Sequence, residues 1–368
     1  MNADLYIGLI SGTSVDGVDA ALVSFTDQHP HLIATHLHPY SSDLRDAVHG
    51  LFVPGDEEID RLGEIDNLVG ATFADAVVQL LDQANIPANR VRAIGCHGQT
   101  VRHRPLAQHP FTLQIGNPYI VAERTGLSVV WDFRRRDVAV GGQGAPLAPL
   151  FHQAFMGSAA ETRVVLNLGG IANITRLPCS AEPPVAFDTG PANGLMDAWI
   201  QRVQGVPFDR NGAWAASAQA DADLLSRFLV DPYFSMPAPK STGKEWFNLS
   251  WAERLADLAA YEPAVVQATF MALTIESIAR AIEASGGCDR VLACGGGVHN
   301  VALLKALEER LAVPVNSSAS VGVEPDWVEA MTFAWLAACH LEGRKLDSSP
   351  FTGAGKPVIL GSLVPGSR

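Results

Sequence analysis

Residues 8–22 read GLISGTSVDGVDAAL, an apolar run broken by glycines, hydroxyls and two acids, Asp16 and Asp19. On either side, 4–10 (DLYIGLI) and 18–25 (VDAALVSF) have the apolar, β-branched content of strands, so the stretch predicts a hairpin with a broad loop. The pattern returns at 163–176, where RVVLNL, Gly169-Gly170 and IANITR read as strand, glycine turn and strand. The two copies do not align closely, so this is a weak duplication of architecture. Outward from the hairpins the chain alternates. Helical spacing covers 60–84, 194–203, 214–229, 262–285, a stretch from about Asn300, and 324–341, where Pro325 sits near the helix start. Strands are expected at 91–96, 128–131 and 290–294, the first ending at the polar turn HGQT, 97–100. Such alternation predicts an α/β architecture. GGQGAPLAP at 141–149 is the expected crossing point between lobes.

The chain has 368 residues, which suits two or three domains at roughly 150 residues each. Lys and Arg number 26 against 39 Asp and Glu, a net charge of −13, with 48% hydrophobic and 18% charged residues. Those counts exclude a disordered chain, a collagen and a small disulfide scaffold. They also argue against a dedicated nucleic-acid binder, so a phosphate ligand must be held locally by backbone amides, a metal or a few chosen cations. The N-terminus lacks the pattern of a signal peptide, and the apolar run near 330–341 is short of the ~20 residues that span a bilayer. Five scattered cysteines predict reduced thiols in a cytoplasmic protein, without zinc.

Four stretches have residue types suited to chemistry. In Gly8–Leu22, glycines let backbone N–H groups nest around phosphate oxygens, Ser11, Thr13 and Ser14 add donors, and an Asp can hold Mg²⁺. It is not a Walker loop, since GxxxxGK[ST] is absent and no lysine lies nearby; a plain hairpin turn also explains the string. NLGGIANIT, 167–175, is by itself a structural turn, but two such loops, one per lobe, would grip a polyphosphate from opposite sides. VLACGGGVHN, 291–300, lets a flat ring or ribose lie against backbone, and His299 reads as a polar residue at a helix start. FDTGPANGLMDAW, 187–199, puts Asp188 at the close of a short strand, where a carboxylate suits a general base; a turn or helix-capping Asp is the plainer reading.

Core packing does not demand the polar strings CHGQTVRHRP (96–105), WDFRRRDVAVGGQGAPLAP (131–149) or PKSTGKEWF (239–247). Arg134, Arg135 and Arg136 are either a solvated run or include a guanidinium aimed at a substrate carboxylate or phosphate. Glu324 and Glu329 fall at the start of an apolar helix, where the helix dipole favours acids; Glu329 stands out for its apolar neighbours.

Eight strings in one order, over nearly the whole chain, resemble the anhydro-N-acetylmuramic acid kinases. They are GTSVDGVD (12–19), HGQT (97–100), DFRRRDVAVGGQGAPLAP (132–149), NLGGIANIT (167–175), FDTGPANGLMD (187–197), PKSTGKEWF (239–247), GGGVHN (295–300) and EPDWVEAMTFAWLA (324–337). The resemblance implies an α/β, two-lobed actin-like ATPase fold, ribonuclease H-like, with a central interlobe cleft. It implies a first lobe at 1–140 with the first phosphate loop and a second at 141–345 with the second phosphate loop and adenosine motif. A C-terminal tail, 346–368, would pack back on the first lobe. The implied activity is hydrolytic opening of 1,6-anhydro-N-acetylmuramic acid with ATP-dependent phosphorylation of O6, in murein recycling. A cytoplasmic homodimer is implied, with ATP and Mg²⁺ and without nucleic acid or membrane.

Carried over by motif, Gly12, Thr13, Ser14, Val15, Asp16, Gly17, Val18 and Asp19 would hold the ATP phosphates, with Asp16 on the metal. Asn167, Gly169, Gly170, Gly295, Gly296, Gly297 and Asn300 would complete the nucleotide site. His97, Gln99, Thr100, Trp131 and Arg134 would bind sugar together with Asp188 as base and Glu329 positioning the water, and Arg134 would meet the lactyl carboxylate. Ala192 and Ala218 stand where the family pattern has glycine. Two other readings use the same loops: an ordinary sugar kinase without ring opening, and a nucleotide-switched binding or chaperone protein. The latter needs an additional substrate-binding domain or an exposed interaction surface, and it ranks last because only a short Gly/Pro-containing tail is expected after 345.

Overall fold

β1 (Leu5–Ser11) and β2 (Gly17–Thr26) form the expected hairpin, paired antiparallel from Leu5↔Ser24 to Ile10↔Asp19. The structure, a computed structural model, describes residues 4–12, 14–26 and 29–367. β3 (His29–Pro39) adds antiparallel to β2, and α1 (Ser42–His49) and α2 (Glu58–Ala84) follow. β4 (Val91–Arg104) returns parallel to β1, with β5 (Phe111–Ile115) folded antiparallel onto its far end. Beyond α3 (Pro118–Thr125), β6 (Val129–Trp131) lies parallel to β4, and α4 (Phe133–Val138) and α5 (Ala148–Phe155) come next.

The second sheet repeats this plan. β7 (Arg163–Leu168), β8 (Ile171–Leu177) and β9 (Val185–Pro191) form an antiparallel meander. Four helices follow: α6 (Asn193–Gln204), α7 (Ala222–Leu229), α8 (Leu249–Leu255) and α9 (Pro263–Ala284). β10 (Arg290–Cys294) then lies parallel to β7, and after α10 (Val301–Leu311), β11 (Val315–Ser317) lies parallel to β10. The strand orders β6-β4-β1-β2-β3 and β11-β10-β7-β8-β9 match position for position and sense for sense. The chain ends with α11 (Val328–Leu341), α12 (Ser349–Thr352) and β12 (Ser362–Val364), which pairs antiparallel with β6.

Two units result. Unit 1 holds the chain up to Phe151 and again from Trp327; unit 2 is His152–Asp326. The expected lobes changed over at 140/141 and 345/346, whereas these units change over at 151/152 and 326/327. α11 therefore belongs with the first sheet. Every residue of β1 is buried, as befits a strand covered on both faces. Leu5, Ile7 and Leu9 join Val69, Phe73 and Val77 of α2 in one core. On the other face α11 lies over Gly8 and Gly95, which are register partners in β1 and β4. A Cβ on Gly8 would sit 1.7 Å from the Ala330 carbonyl oxygen, and one on Gly95 1.9 Å from that of Phe333, so the helix backbone rests directly on the sheet. In unit 2, Val164, Leu166 and Ile174 pack with Leu195, Phe228 and Phe270. α9 is apolar and long enough to cross a membrane by composition, but 67% of that window is buried in the protein, as in a core helix.

Four local expectations are corrected. The strand expected to stop at 96 continues to Arg104, because β5 takes up HGQT and its neighbours through pairs such as Gln99↔Ile115 and Thr100↔Gln114. The helix expected over 214–229 is a short turn at Ala215–Ser217 and then α7, since Ala218 is extended and the Asp221 carboxylate caps Leu224 N–H at 2.7 Å. The last helix begins at Val328 rather than 324; the Pro325 carbonyl accepts the Gly295 N–H at 2.9 Å instead of entering it. Asp188 lies in the middle of β9, not at its end.

Candidate active site

In unit 1 the turn after β1 is braced from β4. Gln99 Nε2 donates to the Gly12 carbonyl at 3.2 Å, and Ser11 Oγ donates to Gln99 Oε1 at 2.6 Å. Val15 N–H closes the turn on the same carbonyl at 3.2 Å. Val15 and Val18 are fully buried, so any ligand contact from them must come through backbone. Val15 has φ 55, a left-handed conformation that a β-branched residue adopts only under strain. Gly17 is held by packing, since a Cβ there would meet the His38 carbonyl at 2.4 Å. Ser14 and Asp16 are exposed, Asp19 is half-buried, and Thr13 lies outside the described residues. Among the described residues no three His, Cys, Asp or Glu side chains gather as a metal cage. One exposed carboxylate beside a phosphate loop nevertheless fits Mg²⁺, which is commonly held by one or two carboxylates plus the phosphates themselves.

Also in unit 1, His97, Arg134 and Glu329 come together from β4, α4 and α11. The His97 Nδ1 lies 2.9 Å from the Gly98 carbonyl, which can only accept, and Arg134 Nε lies 2.9 Å from Nε2, and can only donate. The ring is therefore neutral, with its proton on Nδ1. Burial and the Arg134 charge hold its pKa well below the usual imidazole range. Arg134 Nη1 donates to the Gly144 carbonyl at 2.9 Å. Desolvation lowers the guanidinium to about 10, opposed by the charges of Glu329 and Asp137. Glu329 retains exposed surface in the first turn of α11, yet desolvation raises its carboxyl, with Arg134 acting the other way. Thr100 and Trp131 have other partners: Thr100 Oγ1 accepts from Gln114 Nε2 at 3.0 Å, and Trp131 pairs with Ser362 of β12.

In unit 2 the Gly169-Gly170 turn is pinned to the start of α6. The Gly170 carbonyl accepts Ala192 N–H and Gly194 N–H at 3.1 Å, and Gly169 accepts Asn193 N–H at 3.0 Å. The third glycine motif is its neighbour: a Cβ on Gly295 would meet Asn167 Oδ1 at 2.4 Å, and one on Gly297 would meet Leu168 Cβ at 2.5 Å. Gly296 has open space on its Cβ side. Asn300 is buried and caps α10, its Oδ1 taking Leu303 N–H at 3.0 Å, so its side chain is engaged in the fold. His299 pairs with Asp326 at 2.9 Å.

Asp188 is held by the segment PKSTGKEWF. Its N–H donates to the Lys240 carbonyl at 3.1 Å, its Oδ2 accepts Thr242 N–H at 3.0 Å, and its carbonyl takes the Tyr233 hydroxyl at 2.7 Å. Phe247 anchors this segment among aromatics, 5.0 Å from Trp251 and 5.4 Å from Tyr233 between ring centroids. Desolvation pushes the Asp188 carboxyl up to about 6; the Thr242 N–H works against this and Glu245 adds to it. Asp188 makes no ion pair among the described residues. A half-buried carboxylate without a cation, titrating near neutrality, is equipped to take a proton.

The family model for anhydro-N-acetylmuramic acid kinase matches residues 4–366. The chain belongs to the anhydro-N-acetylmuramic acid kinase family. The anhydro-N-acetylmuramic acid kinase of Shewanella pealeana is 47% identical over 367 residues, covering 99% of this chain and 100% of that protein. That of Xanthomonas campestris pv. campestris strain 8004 is 50% identical over 370 residues, covering 99% and 98%. Among solved structures, component A of the (R)-2-hydroxyglutaryl-CoA dehydratase of Acidaminococcus fermentans aligns with a TM-score of 0.51 at 11% identity, over 90% of this chain and 96% of that one. That likeness concerns fold alone. The chain has a mixed α/β fold with a repeated sheet, like that solved structure.

Sequence reasoning about this family member missed several residues. Lys244 lies against the second glycine turn, its Cε 2.2 Å from where a Gly170 Cβ would be. Asp197 on α6 is raised to about 6 by desolvation, with Lys244 opposing. Tyr233, Thr242 and Asp137 were also passed over. The one available signal was the string PKSTGKEWF, too polar for core and too aromatic at its end for a loose loop.

Proposed function

We propose that this kinase opens 1,6-anhydro-N-acetylmuramic acid with water and phosphorylates O6 from ATP, giving N-acetylmuramic acid 6-phosphate and ADP. The observation that supports it most is Asp188, a carboxyl raised to about 6 that no cation neutralises and that Thr242 N–H orients. O6 of the anhydro sugar is an ether oxygen and has no proton to lose. Water must attack C1; the C1–O6 bond breaks, O6 takes the γ-phosphoryl group, ADP leaves, and Asp188 takes the proton from the water. A glycosidase needs a second carboxyl to protonate the leaving oxygen. Here phosphorus is the electrophile for that oxygen, so one base suffices. Glu329 helps to position the water, and Arg134, held by His97 and Gly144, meets the lactyl carboxylate.

The backbone of 12–19, the turn at Gly169-Gly170 and the glycines at 295–297 hold ATP, and Lys244 adds a charge beside the second turn. Asp16 would hold Mg²⁺, which supplies charge neutralisation on the phosphates when bound. The reading extends to a cytoplasmic homodimer with no nucleic-acid or membrane partner, in keeping with the net charge of −13 and the absence of disulfides between the cysteines.

The test is to incubate the protein with the anhydro sugar, ATP and Mg²⁺ in ¹⁸O-labelled water and weigh the product early, before the free C1 hydroxyl exchanges. One label at C1 of a phosphorylated sugar is expected, and none of this product from Asp188→Asn, which still binds nucleotide. A phosphorylated sugar with its anhydro ring intact overturns the reading in favour of an ordinary sugar kinase.

A further inference from the structure

A depression of about 460 Å³ opens in unit 1 between the C-terminal end of α4 and the segment that follows α11. Arg136, Lys345 and Lys356 line it, with Val140, Pro357 and Ile359 as apolar wall. None of these residues has a part in the reaction above. The neighbouring cations are neutralised: Arg135 meets Asp132 at 3.3 Å, and Arg344 meets Glu342 at 2.5 Å. Arg136, Lys345 and Lys356 are exposed and make no ion pair among the described residues. In a chain with 39 acids and 26 basic residues, three cations gathered without a carboxylate are selective placement rather than background. Concave sites lined by one sign of charge focus the field and concentrate the opposite ion.

We propose that this depression binds a phosphate-bearing small molecule. The phosphate lies against Arg136, Lys345 and Lys356, and the ring that carries it lies against Val140, Pro357 and Ile359. The volume suits a small ligand, within the roughly 300–1,000 Å³ of such sites. Arg can meet phosphate oxygens through two parallel N–H donors, and lysines add point charges. A nucleoside diphosphate and a hexose phosphate share this chemistry, a phosphate on a ring with an apolar face.

The experiment fills the nucleotide site of the full chain with a non-hydrolysable ATP analogue and then titrates inorganic pyrophosphate by calorimetry, in low salt. One further equivalent should bind, and about tenfold or more weaker to Lys345→Ala/Lys356→Ala. Both lysines are exposed, and Lys356→Glu, tested alone, guards against a folding defect; it too should weaken binding by about tenfold or more while leaving turnover unchanged. Displacement of pyrophosphate by ADP or by glucosamine 6-phosphate then tells the two ligand sources apart. Pyrophosphate that fails to bind the wild-type chain, or binds the variants equally well, overturns the proposal. Pyrophosphate that neither organic phosphate displaces overturns the ring contact.

Discussion

Asp188, the proposed base, carries a stability cost of its own. Its carboxyl titrates at about 6 in the folded protein against 3.8 ordinarily, with desolvation the main cause. Between those two values the folded state binds more protons than the unfolded chain, so its stability falls as pH rises through that window and stays lost above it. Asn in this position keeps an acceptor for Thr242 N–H but has no charge to desolvate. Asp188→Asn should therefore raise Tm by about 2 °C or more at pH 8, with the gain vanishing near pH 3.5. Thermal unfolding at the two pH values checks it; an equal Tm for both proteins at pH 8 contradicts the raised carboxyl. The departures from glycine at Ala192 and Ala218 meet no left-handed backbone. Their φ values are −122° and −133°, outside the left-handed region that calls for glycine.

The glycines of the first hairpin divide by element. Gly8 belongs to the sheet and lets α11 lie on β1, whereas Gly12 belongs to the loop and has only Ser14 Oγ near its Cβ side, at 3.9 Å. Gly8→Ala must push α11 outward, and Glu329 with it. A loss of about 1–3 kcal/mol, as for an overpacked core, is expected, together with a fall in turnover. Gly12→Ala should leave Tm unchanged while weakening ATP, because its methyl would take space proposed for the phosphates. Calorimetric Tm and nucleotide affinity, measured on both variants, separate the two roles; a destabilised Gly12→Ala would mean that the loop glycine serves folding. The sequence places both glycines in one motif and does not distinguish them, since a helix more than 300 residues away decides the role of Gly8. Elements were legible where local pattern decides them: the two hairpins, α2, α9 and β10 lie within a few residues of expectation. They were misread where a distant partner decides, as when β5 turns the polar string HGQT into strand.

At the scale of the whole molecule, the repeated strand order was only faintly legible, because topology repeats here while sequence does not. The first unit boundary, at 151/152, falls just past the crossing expected at 141–149, whereas the second, at 326/327, was not legible. Unit 1 is made of two stretches far apart in the chain, and no composition shift marks where the second begins. Besides α11 on the sheet and β12 beside β6, a buried carboxylate links the two stretches. Asp137 is fully buried on α4; its Oδ2 takes Gly144 N–H at 2.7 Å, and its Oδ1 takes the hydroxyls of Ser348 and Thr352, the latter at 2.8 Å. The carbonyl of the same residue, Gly144, accepts from Arg134, so the C-terminal segment reaches Arg134 through three hydrogen bonds in series. Removing both hydroxyls, as Ser348→Ala/Thr352→Val, strands a charge in the core and should lower stability by about 3 kcal/mol. Adding Asp137→Asn should recover part of that loss, because no charge then remains buried. Denaturant unfolding of the three variants is the measurement. A further loss on adding Asp137→Asn would show that the carboxylate, not the hydroxyl pair, holds the two stretches together.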